Sequence, residues 1–302
     1  MSQAFAQISD PHLSSLQDVR AGELLSKRLL GYLSWRRKRR FEHRAEVLDA
    51  LQLDLDKFSF DQLLVTGDLT HIGLPIEFEQ AAAWLRQLGR PEQVALVPGN
   101  HDACVRADPA LTFALWQEYM ASDSGEDSFP SLRVRGDIAF IGLSTACPTP
   151  PLMASGSVGR SQLDKLPALL QETAARGLFR VLYLHHSPLP GVEKWRKRLT
   201  DAEQLQATVA EHGAELLLHG HGHRARFDWL ETAQGKAPVI AAPSASAMGL
   251  HGADIAHYNH YHVARSESGW KLEILQRRYD PQTGQFGAAD QCELAIERGR
   301  PD

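Results

Sequence analysis

Five short stretches of this chain carry side chains that could hold metal ions: Asp10-Pro11-His12, Gly67-Asp68, Gly99-Asn100-His101-Asp102, His185-His186-Ser187-Pro188 and His219-Gly220-His221-Gly222-His223. They offer carboxylate, amide-carbonyl and imidazole donors and no thiolate, which suits manganese, iron, zinc, nickel or cobalt rather than a thiolate-bound cluster. Asp10 and His12 flank Pro11, so an extended strand end would present both to one side. His221 and His223 flank Gly222 in the same way, and the glycines remove bulk where backbone would approach an ion. Asp68, after Gly67, leaves a carboxylate free to bridge two ions; Asn100 gives a neutral oxygen, and His185 or His186 a further imidazole. Each stretch alone is ordinary turn or capping chemistry. Together, in this order, they point to a binuclear hydrolytic centre.

Such donors need elements that bring them together. Apolar, strand-like runs stop at each motif: residues 5–9, 62–66, 94–97, 181–184 and 215–218. Helical patterns lie between them, clearest over Pro75–Leu88 and 161–176, each followed by a glycine. Residues 137–144, 238–242, 261–264 and 270–276 read as antiparallel strands, joined to neighbours by short turns such as Gly136-Asp137 and 265–269. The alternation predicts an α/β fold with a pair of mixed sheets and ligands on loops at strand ends. No fixed-period repeat is present, and the acidic stretch 122–128 reads as a surface loop.

The 302 residues fit one large domain, 1–302, and the formal net charge of −5 argues against a surface that tracks nucleic acid throughout. Cys104, Cys147 and Cys292 lack metal-ligand spacing and form no even set, as expected for a reducing compartment. The first apolar run, residues 4–8, is short for a signal sequence and leads straight into Asp10. No run of about 18 apolar residues follows, so a cytoplasmic protein without a membrane span is expected.

The ordered motifs resemble the calcineurin-like metallophosphoesterases, whose signature runs Asp-x-His, Gly-Asp, Gly-Asn-His-Asp/Glu, His and Gly-His-x-His. The resemblance spans residues 8–223, and its His-His-Ser-Pro-Leu-Pro and Gly-His-Gly-His segments are nearest to the bacterial cyclic-nucleotide phosphodiesterase branch. It implies a four-layer α/β/β/α sandwich. It also implies that Asp10, His12 and His223 hold one ion, that Asn100, His186 and His221 hold the other, and that Asp68 bridges them. His186 is preferred to His185 for its place two residues before Pro188. The implied ions are manganese or iron, with zinc, nickel or cobalt compatible. Hydrolysis of a phosphodiester would follow by a hydroxide shared between the ions, with His101 as general acid and Asp102 orienting its ring.

One segment has no place in that signature. Over residues 23–35, Leu25, Leu29, Tyr32 and Leu33 recur at helical spacing with Lys27 and Arg28 between them, and Arg36, Arg37, Lys38, Arg39 and Arg40 follow. This basic amphipathic insertion, about 22–45, has two uses. Its leucines dock on the domain while the cations draw anionic substrates, or residues 22–40 lie against an anionic membrane or cap a pocket for a phospholipid or nucleotide-linked lipid, placing the protein at the inner face of the membrane. A nuclease ranks below a phosphodiesterase, because few aromatic motifs are available to stack bases. A non-catalytic metal-dependent binding protein ranks lower still, since His101 is intact. His71 and His251 are expected to be structural, although each could line the substrate mouth. His257, His260 and His262 are expected at the surface or in the core, and Cys104 as a small core residue.

Overall fold

The computed structural model describes residues 2–13 and 15–297. Among the described residues, twelve strands form two sheets. The first has the order β12 (Gln285–Glu297), β11 (Gly269–Asp280), β10 (His257–Ser266), β1 (Gln3–Ile8), β2 (Gln62–Val65), β3 (Val94–Leu96). The second has the order β4 (Ser131–Arg135), β5 (Ile138–Gly142), β6 (Phe179–Tyr183), β7 (Leu216–His219), β9 (Gly235–Ala241), β8 (Arg226–Thr232). In each sheet a parallel set (β1-β2-β3; β5-β6-β7-β9) is extended by antiparallel strands, so both are mixed as expected.

Alternation of side chains along the strands explains the layering. Phe5, Leu64, Ala95, Val181, Leu216 and Leu218 point between the sheets into one core. Ala6, Ile8, Leu63, Val65 and Leu96 point the other way, onto α3 (Ala45–Leu55) and α4 (Pro75–Leu88). Leu182, Leu217 and Val239 likewise meet α6 (Arg160–Ala175) and α7 (Ala202–His212). The result is the α/β/β/α sandwich, in which each fully buried Leu, Ile or Phe contributes about 1.5–3 kcal/mol. The start of α4 also fixes a site loop. Buried Glu77 accepts from the amides of His71 (2.6 Å), Leu74 (2.9 Å) and Ile72 (3.2 Å), tying down the chain just after Asp68.

The arginine-rich segment is not one amphipathic helix. It is a 3₁₀ turn at Ala21–Leu24, α1 at Arg28–Ser34, a π turn at Trp35–Arg39 and a short α2 at Arg40–Glu42. The face that docks carries Leu24, Tyr32 and Trp35, packed with Leu16, Ile72 and Leu74. Gly31 sits at the closest approach, where an added Cβ would meet Ile72 Cγ2 at 2.5 Å. Arg28 completes this face by donating to the Ile72 and Gly73 carbonyls. Leu25, Leu29, Leu30 and Leu33 are therefore turned outward and exposed. Spacing marked a leucine stripe, but a glycine that admits the Ile72 side chain sets the docked face. A further short α-helix, α5, spans Gln117–Met120.

Candidate metal centre

The five motifs lie in loops at the C-terminal ends of parallel strands, three from the first sheet (β1, β2, β3) and two from the second (β6, β7). The loops are stitched together over the seam between the sheets. Asp10 N donates to Gly67 O (2.9 Å), His12 N to Asp68 O (3.1 Å) and Gly220 N to His185 O (3.0 Å), while Gln7 Nε2 reaches His219 O (3.0 Å). Gly67 and Gly99 are needed here for space. A Cβ on Gly67 would lie 2.7 Å from His185 Nδ1, and one on Gly99 would collide with the Asp68 carboxylate.

The extended geometry expected around Asp10-Pro11-His12 and His221-Gly222-His223 is not what forms. Asp10, His12, Asp68, His221 and His223 have φ of 50°, 44°, 58°, 67° and 51°, in the left-handed region. Such conformations cost about 1–3 kcal/mol each and persist where surrounding contacts over-determine them. Here the stitching bonds supply those contacts, and the sharp turns bring the side chains to one place.

Two groups of donors result. Single ligand atoms of Asp10, His12 and Asp68 lie within 4.8 Å of one another, as do those of Asp68, His185 and His221, so Asp68 belongs to both. His223 Nε2 joins the first group, 3.2 Å from Asp10 Oδ1. Asn100 Oδ1 joins the second, 3.3 Å from His185 Nε2. Backbone carbonyls orient the rings. His12 Nδ1 donates to Thr70 O (2.9 Å) and His185 Nδ1 to Thr66 O (2.7 Å), which leaves each Nε2 lone pair facing the group. Among the described residues, buried His12 Nε2 and His221 Nε2 have no hydrogen-bond partner. Buried lone pairs converging on shared carboxylates fit a pair of divalent ions.

The electrostatics agree. Burial pushes His12 and His221 well below the usual histidine range, with their neighbouring imidazoles adding to it, so both rings are neutral donors. Burial alone would raise Asp68 and lower His185. Their mutual attraction wins, holding Asp68 well below its ordinary value and lifting His185 to about 9.

Two expectations need correction. His186 was preferred as a ligand, but its Nδ1 bonds Thr145 Oγ1 (2.7 Å) and its Nε2 lies 3.2 Å from Ala154 O, so both nitrogens are engaged by the protein. His185 stands among the donors instead. Asp102 was expected to orient the His101 ring. Its carboxylate turns under the loops and accepts from Gly99 N (2.8 Å), Asp68 N (3.0 Å), Thr70 N (2.9 Å) and Thr70 Oγ1 (3.1 Å). It is a clamp on the backbone of two motifs. The His101 ring is set by His71 O, 2.6 Å from Nδ1, with Arg39 Nη1 at 3.0 Å from the same nitrogen. Burial and that guanidinium push His101 down to about 3.

Side chains outside the motifs complete the surroundings. His71 stacks on His12 at 5.1 Å and His251 lines the cleft. His43 packs 4.3 Å from His12 between ring centroids, and Ser244 Oγ donates to Asp10 O (2.6 Å). Neither His43 nor Ser244 stands beside a motif, and their residue types alone gave no signal. The cleft, about 980 Å³, carries Lys38, Arg39, Lys194, Arg196, Lys197 and Arg224 on its walls against Glu193. A chain of net charge −5 thus concentrates cations over the metal-type donors. His257 and His260 are buried strand residues away from the cleft, and Cys104 is buried.

A calcineurin-like phosphoesterase family pattern matches residues 4–225. The chain is 30% identical over 186 residues to a "probable cyclic nucleotide phosphodiesterase" of Synechococcus sp., covering 57% of this chain and 61% of that protein. It is 29% identical over 169 residues to a 3′,5′-cyclic-nucleotide phosphodiesterase of Nostoc sp., covering 54% and 56%. The matched region thus spans less than two thirds of either relative. In three dimensions the chain is similar to a dimetal phosphatase from Danio rerio, with a TM-score of 0.61 at 13% identity over 98% of this chain and 99% of that one, a likeness of fold. With that pattern matched from β1 to just beyond His223, and its donors gathered at one seam, the chain belongs to the calcineurin-like phosphoesterase family.

Proposed function

We infer that the chain is a single-domain phosphodiesterase that works with two divalent ions, manganese or iron by resemblance. The observation that carries this is Asp68, shared between two groups of buried donors beneath a cationic cleft. Asp10, His12 and His223 would hold one ion, Asn100, His185 and His221 the other, and Asp68 both. Bound ions would supply Lewis-acid charge for the phosphoryl oxygens and acidify a water. The chain's own groups do the rest. The wall cations draw in and orient an anionic ester. His101, with Nδ1–H on His71 O, presents Nε2 as the atom that carries a proton to the leaving-group oxygen. A phosphodiester anion beside the ring favours its protonated form, opposing Arg39. The names of the two relatives make 3′,5′-cyclic nucleotides the first substrates to try. The test is turnover of an aryl phosphodiester, an aryl phosphomonoester and a cyclic nucleotide with manganese, iron and zinc, beside Asn100→Ala. Diester turnover lost in the variant is expected; no turnover with any metal would sink the reading.

A second reading of the substrate rests on the outward leucines. Leu25, Leu29, Leu30 and Leu33 are exposed next to exposed Arg36, Arg37, Lys38 and Arg40. A side pocket of about 190 Å³ runs from Asn100 and His101 between Leu30 and Leu152. A phosphodiester with an apolar tail, presented at the inner face of an anionic membrane, suits this arrangement. No helix of the described residues is long and apolar enough to cross a membrane, so contact would be peripheral. Polar replacement of Leu25, Leu29 and Leu33 should then weaken binding to anionic vesicles and lipid diester hydrolysis, and unchanged values would remove this reading.

A further inference from the structure

The arginine-rich segment ends at a histidine that faces the metal centre. His43 follows α2, is 9% exposed, and donates its amide to Arg39 O (2.8 Å); it is pinned to the chain after β9 by Arg44 N donating to Ser246 O (3.0 Å) and by its pairing with Ala247. Its Nδ1 lies 3.2 Å from Ser244 Oγ and 3.0 Å from Ser246 Oγ. The single proton of the Ser244 hydroxyl is given to Asp10 O at 2.6 Å, so towards His43 that oxygen accepts. With the ring proton on Nδ1, directed to the Ser244 oxygen, Nε2 keeps its lone pair.

One ring nitrogen from each of His12, His43 and His223 lies within 4.8 Å of the other two. The His12 ring turns an unpartnered Nε2 into this space, because its Nδ1 is bound to Thr70 O. Imidazole lone pairs facing one another repel unless a cation or a proton stands between them. We propose that His43 is a ligand of the ion held by Asp10, His12 and His223. The segment 21–44 is then a strap whose far end is fastened by the metal. The same strap places Arg39 against His101, so one insertion reaches both the ion and the proton carrier. A third imidazole makes this ion's surroundings richer in nitrogen than those of its neighbour, where two imidazoles share the ion with an amide oxygen. The two sites should therefore differ in metal preference, the His43 side favouring ions that take imidazole well.

The inference rests on the two-metal reading above, and a binding titration separates the two. The full chain, stripped with a chelator, is titrated with Mn²⁺ as wild type, His43→Ala and His43→Gln, with circular dichroism reporting the fold. Gln can still hydrogen-bond the serines but is a poorer ligand, so it separates coordination from placement, and it decides the matter if the Ala variant does not fold. Wild type is expected to bind two ions. Both variants should lose affinity for one ion by at least the roughly 10–100-fold that removal of an outer-shell partner costs, with the other ion unaffected. Trypsin cleavage within Arg36–Arg40 should be slowed by Mn²⁺ in wild type and not in the variants. Two ions bound by the variants with wild-type affinities, or by His43→Gln alone, would overturn the ligand role and leave the two-metal reading standing. A folded wild type that binds fewer than two ions would overturn both.

Discussion

The loops at the seam and the strap over residues 21–44 both border the cleft, but different forces hold them. The seam loops are tied down by buried polar bonds: Asp102 accepts four donors, backbone carbonyls fix His12 and His185, and left-handed residues are locked by the bonds between loops. The strap is held by a small apolar cluster, by Arg28 on two carbonyls and by contacts at its far end, and it turns leucines to solvent. A rigid, strained centre beside a lightly fastened arm divides the labour. The seam gathers the metal-type donors, and the arm brings His43, cationic side chains and outward leucines to the rim of the cleft.

The largest effect that would sharpen this division is expected in the seam. His101→Ala should lower kcat by about 10²–10⁴-fold on esters with poor leaving groups, and much less on an aryl ester whose leaving group needs no proton. Equal losses on both would remove the proton-carrier role. Asp102→Ala leaves buried amides of two motifs unpaired and should cost about 3 kcal/mol in urea unfolding of the metal-free chain. A loss below 1 kcal/mol would mean that the loops hold without their clamp.

Acid supplies the next test. Burial pushes His257 and His260, both in β10 and outside the centre, down to about 4, below the usual 6.5. The unfolded chain takes up these protons first, so stability is full above pH ~6.5 and falls as pH drops towards about 4, by roughly 1–3 kcal/mol for each ring. Unfolding of the metal-free protein across that window should show the slope, and His257→Asn should reduce it. The smallest effect belongs to the strap. Gly31→Ala must displace Ile72 and should cost about 1–2 kcal/mol in apparent stability, with faster proteolysis in residues 36–40 while the seam keeps its ions. If that substitution also emptied the seam, the two regions would not be separable.

How much of this was legible in the sequence follows the same division. The convergence of Asp10, His12, Asp68, Asn100, His221 and His223 could be read because donors at fixed short spacing after apolar runs leave a pattern in one dimension. Pro75–Leu88 was readable end to end from its period and its terminal Pro and Gly. The choice between His185 and His186 was not, since it depends on which ring finds Thr66 O and which finds Thr145, residues over 40 positions apart from one or other. The role of Asp102 was missed because backbone amides carry no residue identity. The strap misled because helical periodicity reports an apolar face and not what that face meets. His43 was invisible, since its partners Ser244 and Ser246 lie about 200 residues away. Strand β12 was missed because most of its side chains are exposed, leaving no apolar alternation.

The most direct test is anomalous diffraction at the manganese edge from crystals of the Mn²⁺-loaded chain. Two peaks roughly 3.5–4 Å apart are predicted, one beside Asp10, His12 and His223 and one beside Asn100, His185 and His221, with Asp68 touching both. A single peak, or a peak bound by His186 with His185 outside its reach, would contradict the account.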